Sequence, residues 1–362
     1  MKRRDVLIGA GGAVLLGGAG AFAWRQATGS MDAYETFVHR LRAPLPASPG
    51  IGDLIRYATL AANGHNTQPW RFRAGQNWID ILPDLSRATP VVDPDAHHLF
   101  VSLGCAAENL AIAGVAAGRP GTMEVGADGG IRYAFETGRP QDDPLLAAIA
   151  RRQSTRAVYD GRPVAPADID MLRRAAERPG VRVIFLTERS RIDSLRDLVV
   201  AGNGAQMADP AFMAELKHWL RFSPRHATAS GDGLFSGSSG NPALPDAVGS
   251  RAFDLFFTAK AENDKYARQI DSSAGIAVFL TEHQDQAHWI AAGRACQRFA
   301  LTATALGLKH AFVNQPVEVV RLRPELAALV GEPGLRPDIV MRFGRGPALP
   351  FSLRRPVAAV TA

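Results

Sequence analysis

Cysteine and long runs of like charge are scarce in this sequence of 362 residues. Its two cysteines, Cys105 and Cys296, are too few for a disulfide-stabilised scaffold or for a four-cysteine zinc or iron–sulfur site. Charged residues make up 21% of the chain, and no basic run is longer than three residues. Because nucleic-acid-binding proteins carry clustered basic patches, the net charge of +6 does not indicate a nucleic-acid partner.

Glycine and proline, with 35 and 24 residues, are also too infrequent for a disordered or collagen-like chain. Apolar residues make up 46% of the sequence, which is enough to bury a sizeable core. At roughly 150 residues per domain, the length predicts two domains or one large domain.

The first 24 residues are typical of an export signal rather than of a folded domain. Lys2, Arg3 and Arg4 precede a mildly hydrophobic stretch over residues 6–23, and the A-x-A triplet at 21–23 fits a signal-peptidase site. The paired arginines resemble a twin-arginine signal. The sequence therefore predicts export to the periplasm, or membrane anchoring if the signal is not cleaved.

Two helical segments rich in small residues form an internal repeat. Residues 104–118 align without gaps with residues 293–307, and both segments begin and end with glycine. A second alignment places residues 54–58 over residues 172–176. Chance similarity between alanine-rich helices is the alternative explanation. The repeat predicts an α+β fold in which two related halves are fused in one chain.

The repeat also predicts the domain boundaries. Residues 25–50 form a linker and a leading helix, residues 51–141 the first half, and residues 142–362 the second half. An additional segment in the second half falls at about 191–270 and is rich in Gly, Ser, Asp and Pro between 228 and 250. Because long insertions in compact folds are usually functional or disordered, we interpret it either as a lid or as a flexible surface loop.

A polar segment between a predicted helix and a predicted strand is the most distinctive stretch. It contains three carboxamides, Asn63, Asn66 and Gln68, together with Gly64 and His65. Side-chain amides both donate and accept hydrogen bonds, and glycine lets backbone amides approach a flat ligand. The segment therefore suits the edge of a heteroaromatic ring, whereas a well-bonded turn without a ligand is the alternative.

Two arginine clusters are candidates for binding an anion. The first contains Arg152, Ser154 and Arg156, and the second contains Arg354 and Arg355 near the C-terminus. A guanidinium group donates two parallel hydrogen bonds to a phosphate, and a neighbouring hydroxyl adds a third donor. A solvated basic turn is the alternative interpretation.

These motifs resemble those of the nitroreductase family. Residues 63–70 resemble the flavin-contacting loop of that family, and residues 152–156 resemble its R-x-S-x-[RK] signature. Residues 307–308 with 313–315 resemble the strand whose backbone faces flavin N5, and residues 354–355 resemble the terminal basic pair. The loop precedes the signature, which is an unusual order. Because residues 64–70 read G-H-N-T-Q-P-W and a second half is fused to the first, the chain most resembles the Acg-type branch.

The resemblance implies a nitroreductase-like fold with non-covalent FMN between the two halves. Each half lacks the motif that the other retains, so one FMN per chain is expected. His65, if protonated, would stabilise the anionic reduced flavin and is the candidate catalytic residue. The residues implied to hold FMN are Asn63, Gly64, His65, Asn66, Gln68, Arg152, Ser154, Arg156, Asn314, Gln315, Arg354 and Arg355.

The resemblance also implies an oxidoreductase that passes hydride or electrons through flavin N5 to a quinone, a nitroaromatic or a similar small acceptor. The electron donor would be NAD(P)H or another reductant. The alternative is a protein that sequesters flavin beneath a lid with little NAD(P)H-dependent turnover, because an exported protein would meet little NAD(P)H.

Two further expectations concern metals and assembly. No metal site is predicted, because the adjacent residues His97 and His98 should point apart on a helix or a strand. The chain is expected to be a monomeric pseudo-dimer or a homodimer.

Overall fold

The computed structural model of the protein describes residues 20–362. The export signal predicted over residues 1–24 falls almost entirely on residues 1–19, which lie outside the described part. Residues 20–28 belong to helix α1, and helix α2 (Met31–Leu41) follows. Ser30 caps α2, because its hydroxyl accepts a hydrogen bond from the backbone N–H of Ala33.

The first half contains two helices and a four-stranded sheet. Its elements are α3 (Ile51–Thr59), β1 (Trp70–Ala74), β2 (Trp78–Pro83), α4 (His97–Ala116), β3 (Gly121–Val125) and β4 (Ile131–Phe135). All strand pairs are antiparallel. Ile131, Tyr133 and Phe135 of β4 are buried, whereas the residues between them are exposed. One face of this sheet therefore packs on the core and the other faces solvent.

The second half is longer because many elements are inserted between its first two strands. Its elements are α5 (Leu146–Arg151), α6 (Pro166–Ala176), β5 (Val181–Leu186), α7 (Arg189–Met207), α8 (Pro210–Trp219), β6 (Leu220–Arg221), α9 (Pro224–Ser230), β7 (Leu234–Phe235), α10 (Asp246–Phe256), α11 (Ala259–Asp271), β8 (Gly275–Thr281), α12 (Gln286–Ala305), β9 (Lys309–Phe312), α13 (Gln315–Glu318), α14 (Arg323–Leu329) and β10 (Arg336–Gly344).

Both halves have the same topology. In each, a helix precedes two strands, a long helix follows, and two further strands complete an antiparallel sheet. The spatial order is β1-β2-β4-β3 in the first half and β5-β8-β10-β9 in the second half. The predicted α+β fold with two related halves is therefore confirmed.

The two halves meet where the long helices α4 and α12 cross. Gly104 and Gly293 lie at the crossing, and they are the glycines that begin the two repeated segments. A Cβ atom at Gly104 would lie 2.1 Å from the carbonyl oxygen of Ile290, and one at Gly293 would lie 2.0 Å from that of Val101. Only glycine at these two positions allows the backbones of α4 and α12 to come this close. By length and composition α4 could cross a membrane, but most of it is buried in the core.

Ion pairs reinforce the joint between the halves. Glu108 on α4 is almost completely buried and accepts hydrogen bonds from Arg178, Arg294 and Arg298 of the second half. Its oxygens lie 2.7 Å, 3.0 Å and 2.6 Å from these three guanidinium groups. The carboxylate is therefore compensated by partners that only the other half supplies.

The segment between β5 and β8, residues 187–274, is called the insertion below. It is largely helical, because its apolar residues find a partner in the second sheet. Every residue of β8 is buried, and Ile276, Val278 and Leu280 pack against apolar residues of α7 and α11. The insertion thus covers the sheet face whose counterpart in the first half faces solvent.

The C-terminal segment returns from the second half to the first. The N–H of Phe72 in β1 donates to the carbonyl of Val360 at 2.7 Å, and the N–H of Ala362 donates to the carbonyl of Phe72 at 2.9 Å. This path brings Arg354 and Arg355 next to the end of α3.

Candidate functional site

A cavity of about 480 Å³ lies between the two halves and the insertion. It brings together half of the residues that the sequence predicts to hold a cofactor. The first half contributes Asn63, Gly64 and His65, and the second half contributes Arg156, Asn314 and Gln315. The other predicted residues do not line it; these are Asn66, Gln68, Arg152, Ser154, Arg354 and Arg355.

The loop that follows α3 has a strained backbone. His65, Asn66 and Gln68 all have positive φ angles, between 45° and 55°, and the fourth such non-glycine residue among residues 20–362 is Ala96. Each left-handed residue of this kind costs about 1–3 kcal/mol unless its surroundings impose it. The carboxamide of Asn63 helps to impose it, because its Oδ1 accepts the N–H of Gln68 at 2.9 Å.

Two of the predicted ring-binding amides hold the insertion instead. The Nδ2 of Asn66 donates to the carbonyl of Gly233 at 2.9 Å, and the Nε2 of Gln68 donates to the carbonyl of Gly231 at 2.9 Å. Both side chains are buried. The structure therefore does not bring Asn66 and Gln68 to the cavity, since their amides satisfy backbone groups of the insertion.

An ion pair strengthens the same contact. The carboxylate of Asp232, between these two glycines, pairs with Arg87 of the first half and with Arg221 of the insertion. Arg87 also donates to the carbonyl of Thr67 in the strained loop. The strained loop and the insertion thus fix one another.

The cation of the cavity is Arg156 and not His65. Burial, together with the nearby Arg156 and His98, lowers the pKa of His65 to about 4, so the imidazole is neutral at neutral pH. The predicted cationic role of His65 is therefore not supported. Lys265 also lines the cavity but is paired with Glu262 at 3.4 Å, whereas Arg156 has no carboxylate partner among the described residues.

Asn314 lies on the opposite side of the cavity, next to a histidine that the sequence analysis did not assign to the site. Its Oδ1 accepts the N–H of Val340 at 2.9 Å, and its Nδ2 lies 3.4 Å from the Nε2 of His98. His98 also lines the cavity. Only the fold brings it there, because nothing in the sequence near His98 resembles the other motifs.

Arg152 and Arg354 lie behind the cavity, at the C-terminal end of α3. Arg354 donates to the carbonyls of Thr59 and Ala61 and to the Oδ1 of Asn66, which occupies its whole guanidinium group. Arg152 donates only its Nη2, to Leu60, and its Nε and Nη1 have no partner in the part of the chain that the structure describes. Burial lowers the pKa of Arg354 to about 9 and also lowers the pKa of Arg152.

A third buried arginine, Arg42, belongs to the same cluster and was not predicted. Its Nη1 donates to the carbonyls of Ala150 and Arg152. Burial and its two cationic neighbours, Arg354 and Arg152, lower its pKa well below the ordinary value. No carboxylate pairs with these three arginines within residues 20–362. Buried cations without an anion are costly, so this donor set fits the phosphate of a cofactor.

Ser154 and Arg355 have structural partners. Ser154 forms a β-bridge with His310. Arg355 is half-buried, donates to the carbonyl of Gln68 at 2.7 Å, and has a pKa that burial lowers to about 10. Their predicted contacts with a cofactor stay predictions.

The expectation that His97 and His98 point apart is wrong. Their ring centroids lie 4.7 Å apart, and possible ligand atoms of Asp93, His97 and His98 all lie within 4.8 Å of one another. The two residues begin α4, where neighbouring side chains are separated by about 100° rather than 180°. Side chains of this group already form hydrogen bonds, however. Asp93 accepts the backbone N–H of His98, and His97 Nε2 lies 2.9 Å from Asp338 Oδ1.

Two proteins of Mycobacterium tuberculosis strain H37Rv are similar to most of the chain. It is 28% identical over 329 residues to "Putative NAD(P)H nitroreductase Rv3131", and the aligned region covers 87% of this chain and 92% of that protein. It is 24% identical over 334 residues to "Putative NAD(P)H nitroreductase acg", which covers 86% and 94%. The chain is a homologue of these proteins. The resemblance inferred from the motifs, including that to the Acg-type branch, is confirmed.

Other comparisons give weaker similarity. No model of a known protein family matches the chain. A nitroreductase with bound FMN from Desulfitobacterium hafniense is 16% identical, with a TM-score of 0.39, over 59% of this chain and 96% of that one. An NADPH:FMN oxidoreductase from Vibrio harveyi, complexed with NAD⁺, is 11% identical, with a TM-score of 0.35, over 59% and 73%.

Proposed function

We propose that this chain is an FMN-dependent oxidoreductase of the nitroreductase type. The observation that carries the proposal is the cavity between the halves, where the polar loop of the first half faces Arg156 and Asn314 of the second. The names of the homologous proteins support the same reaction class. FMN, when bound, supplies the two-electron chemistry, and the protein supplies position and electrostatics.

Arg152 is the residue best suited to the phosphate of FMN. It is buried, and within residues 20–362 two of its nitrogen atoms have no partner and no carboxylate pairs with its cluster of three arginines. The cluster borders the carbonyls of residues 59–61, directly before the residues that line the cavity. A dianion there would satisfy Arg152 and reduce the repulsion among the three guanidinium groups.

Residues of the cavity wall are suited to the ring of the cofactor. The Nδ1 of His65 is buried and has no hydrogen-bond partner in the described part of the chain, and the neutral imidazole can donate or accept a hydrogen bond. Arg156 places a positive charge in the cavity, where it would favour a negatively charged ring. These are groups that bind and polarise a flat heteroaromatic ligand.

The first test is the visible spectrum of the purified protein during an anaerobic titration with NADH or NADPH. A yellow protein whose flavin absorbance bleaches supports the oxidoreductase. If the protein is colourless and cannot be reconstituted with added FMN, the proposal is wrong.

The second test separates phosphate binding from a structural role of Arg152. The Arg152→Ala variant should lose affinity for FMN about tenfold or more but should keep its affinity for riboflavin, which lacks the phosphate. Arg182→Ala, at an exposed ion pair with Glu332, is the matched control. Equal loss for both flavins would show that Arg152 only supports the end of α3.

One observation favours flavin sequestration as a second candidate function. The insertion lines the cavity and is fixed to the first half through Asn66, Gln68 and Asp232. We infer that it acts as a lid that restricts access by a reductant. Flavin that dithionite reduces but NAD(P)H does not would support sequestration, and the Asp232→Asn variant should then gain reduction by NAD(P)H.

We also propose that residues 1–24 direct export through the twin-arginine pathway and that the exported chain is a monomeric pseudo-dimer. Cell fractionation of the full chain and of a variant with Arg3→Lys and Arg4→Lys tests the first part. Periplasmic protein in the wild type and its absence from the periplasm in the variant are expected. Light scattering of the purified chain tests the second part.

A further inference from the structure

The cavity has two chemically different walls. The two halves contribute the polar wall, with Asn63, His65, Arg156 and Asn314. The insertion contributes a largely apolar wall that no resemblance to known motifs predicts, with Asn203, Gln206 and Asn241 among its few polar residues. Its phenylalanines that line the cavity are Phe212, Phe222, Phe235, Phe253, Phe256 and Phe257.

The apolar wall is packed around α10. The rings of Phe253 and Phe257 are stacked with centroids 4.5 Å apart, and that of Phe222 lies 6.4 Å from Phe253. Gly249 leaves room for Phe222, because a Cβ there would lie 2.4 Å from it. This wall is thus built from close-packed aromatic rings, which favours apolar ligands.

The charged groups along the apolar wall are neutralised. Lys265 pairs with Glu262, and Lys217, whose ammonium lies 5.9 Å from the ring centroid of Phe253, pairs with Asp254 at 2.5 Å. Among the residues that the structure describes, this wall offers a phosphate-bearing ligand such as a dinucleotide no unpaired Lys or Arg, in contrast to the polar wall with Arg156. The wall therefore selects against a charged ligand and for an uncharged one.

One residue of the wall marks an opening. Phe256 lines the cavity, yet 74% of its surface is exposed, and the adjacent Leu255 is 70% exposed. Exposed apolar side chains that adjoin one another and an apolar cavity form a surface patch that suits an apolar partner. The apolar wall thus continues from the cavity to the surface of the protein at the end of α10.

From these features the geometry points to an electron acceptor of one class: a quinone ring that carries a long apolar chain. The inference rests on the proposed function and deepens it. The quinone ring would lie next to the flavin ring that the polar wall would hold, and the chain would follow the phenylalanines and leave past Phe256. Reduction of the ring to the hydroquinone would take two electrons and one proton, equivalent to a hydride, from the anionic reduced FMN and one further proton from solvent.

The test compares two quinones with the same dimethoxy-methyl ring, one bearing a decyl chain and one without a chain. Binding of each oxidised quinone to the FMN-loaded protein is measured by tryptophan fluorescence. Reoxidation is then followed anaerobically after the bound FMN has been reduced with dithionite, so that no natural donor is needed. We expect the decyl quinone to bind and to reoxidise FMN at concentrations at least about tenfold lower.

Variants assign this preference to the apolar wall. Phe253→Ala and Phe256→Ala should reduce the preference for the decyl quinone several-fold and leave the chainless quinone unchanged. Phe256 is exposed, so its replacement does not threaten folding. Met171→Ala, an exposed apolar residue on α6 away from the cavity, is the matched control.

Equal binding of the two quinones would overturn the inference, and so would variants that behave like Met171→Ala. If the decyl quinone binds more tightly but does not reoxidise FMN, the inference about the apolar-chain ligand is supported and the proposed oxidoreductase function is wrong. If the protein binds no FMN, the same fluorescence titration on the FMN-free protein still decides the ligand class, because it needs no turnover.

Discussion

The two halves of the molecule share one topology but differ in the connections between their elements. In the first half, residues 60–69 join α3 to β1 and include three strained residues, whereas residues 177–180 make the equivalent connection in the second half. Residues 75–77 join β1 to β2, whereas residues 187–274 join β5 to β8. The repeated elements thus supply the scaffold, and the unequal connections supply the walls of the cavity.

The largest expected effect comes from separating the halves at their crossing. In Gly293→Val the added side chain would collide with the carbonyl of Val101, which is part of a rigid helix. We expect a loss of at least about 3 kcal/mol in the free energy of unfolding, measured with urea. Gly52→Ala, in a helix with nothing within 4 Å of the new Cβ, should be neutral or slightly stabilising. Similar stability of the two variants would show that the helices can move apart.

The buried ion pairs across the joint should rank second. Glu108→Ala leaves three arginines of the second half without their carboxylate, and we expect a loss of about 3 kcal/mol. Asp193→Ala removes a carboxylate from exposed pairs with Arg189 and Arg196 and should cost less than about 1 kcal/mol. Equal losses in chemical unfolding would mean that Glu108 does not bind the halves together.

A pair of titrating residues across the joint should give a smaller, pH-dependent effect. Burial lowers the pKa of His97 on α4 to about 3 and raises that of Asp338 on β10 to about 7. The His97 contribution to stability therefore grows as the pH rises from about 3 to 6.5, and the Asp338 contribution is lost as the pH rises from about 4 to 7. In the wild type the two slopes oppose each other.

Single substitutions should reveal each slope. Relative to the wild type, stability of Asp338→Asn should increase with pH between about 4 and 6.5, and that of His97→Gln should decrease, each by up to about 1.4 kcal/mol per pH unit. Urea unfolding at several pH values measures both. The double variant is the control and should follow the wild type; slopes of the same sign would contradict the assignment.

The smallest expected effect on global stability concerns the insertion. Asp232→Asn weakens the ion pairs with Arg87 and Arg221, and we expect a loss of about 1 kcal/mol with faster hydrogen exchange confined to the insertion. Asp254→Asn, at an exposed pair with Lys217 in the same segment, should leave exchange unchanged. Unchanged exchange in Asp232→Asn would show that packing alone holds the insertion.

Much of the scaffold was predictable because it depends on local patterns. The glycines at 104 and 293 begin the two repeated segments, and the fold places them at the crossing of α4 and α12. The two related halves followed from the repeat, and in the structure several helices lie between β5 and β8 of the second half. Periodicity and small residues carry such information along the chain.

The fate of individual polar residues could not be predicted in the same way. Asn66 and Gln68 looked like Asn63, yet their amides bind the insertion, because that segment happens to present unpaired backbone carbonyls beside them. Arg42 joins the arginine cluster, and His98 joins the cavity, only because the fold brings together segments that are far apart in the sequence. The sequence indicates which polar groups can form hydrogen bonds, but the partner of each group depends on the folded chain.

The crossing of α4 and α12 has a consequence for how the site is assembled. A site between separate subunits forms by a bimolecular reaction, so dilution dissociates the subunits and the site is lost. Here both helices belong to one chain, and a linked segment encounters its partner at an effective concentration near the millimolar range. The site should therefore persist at any protein concentration. A substitution in one half also occurs only once, whereas in two identical subunits the same substitution would occur in both.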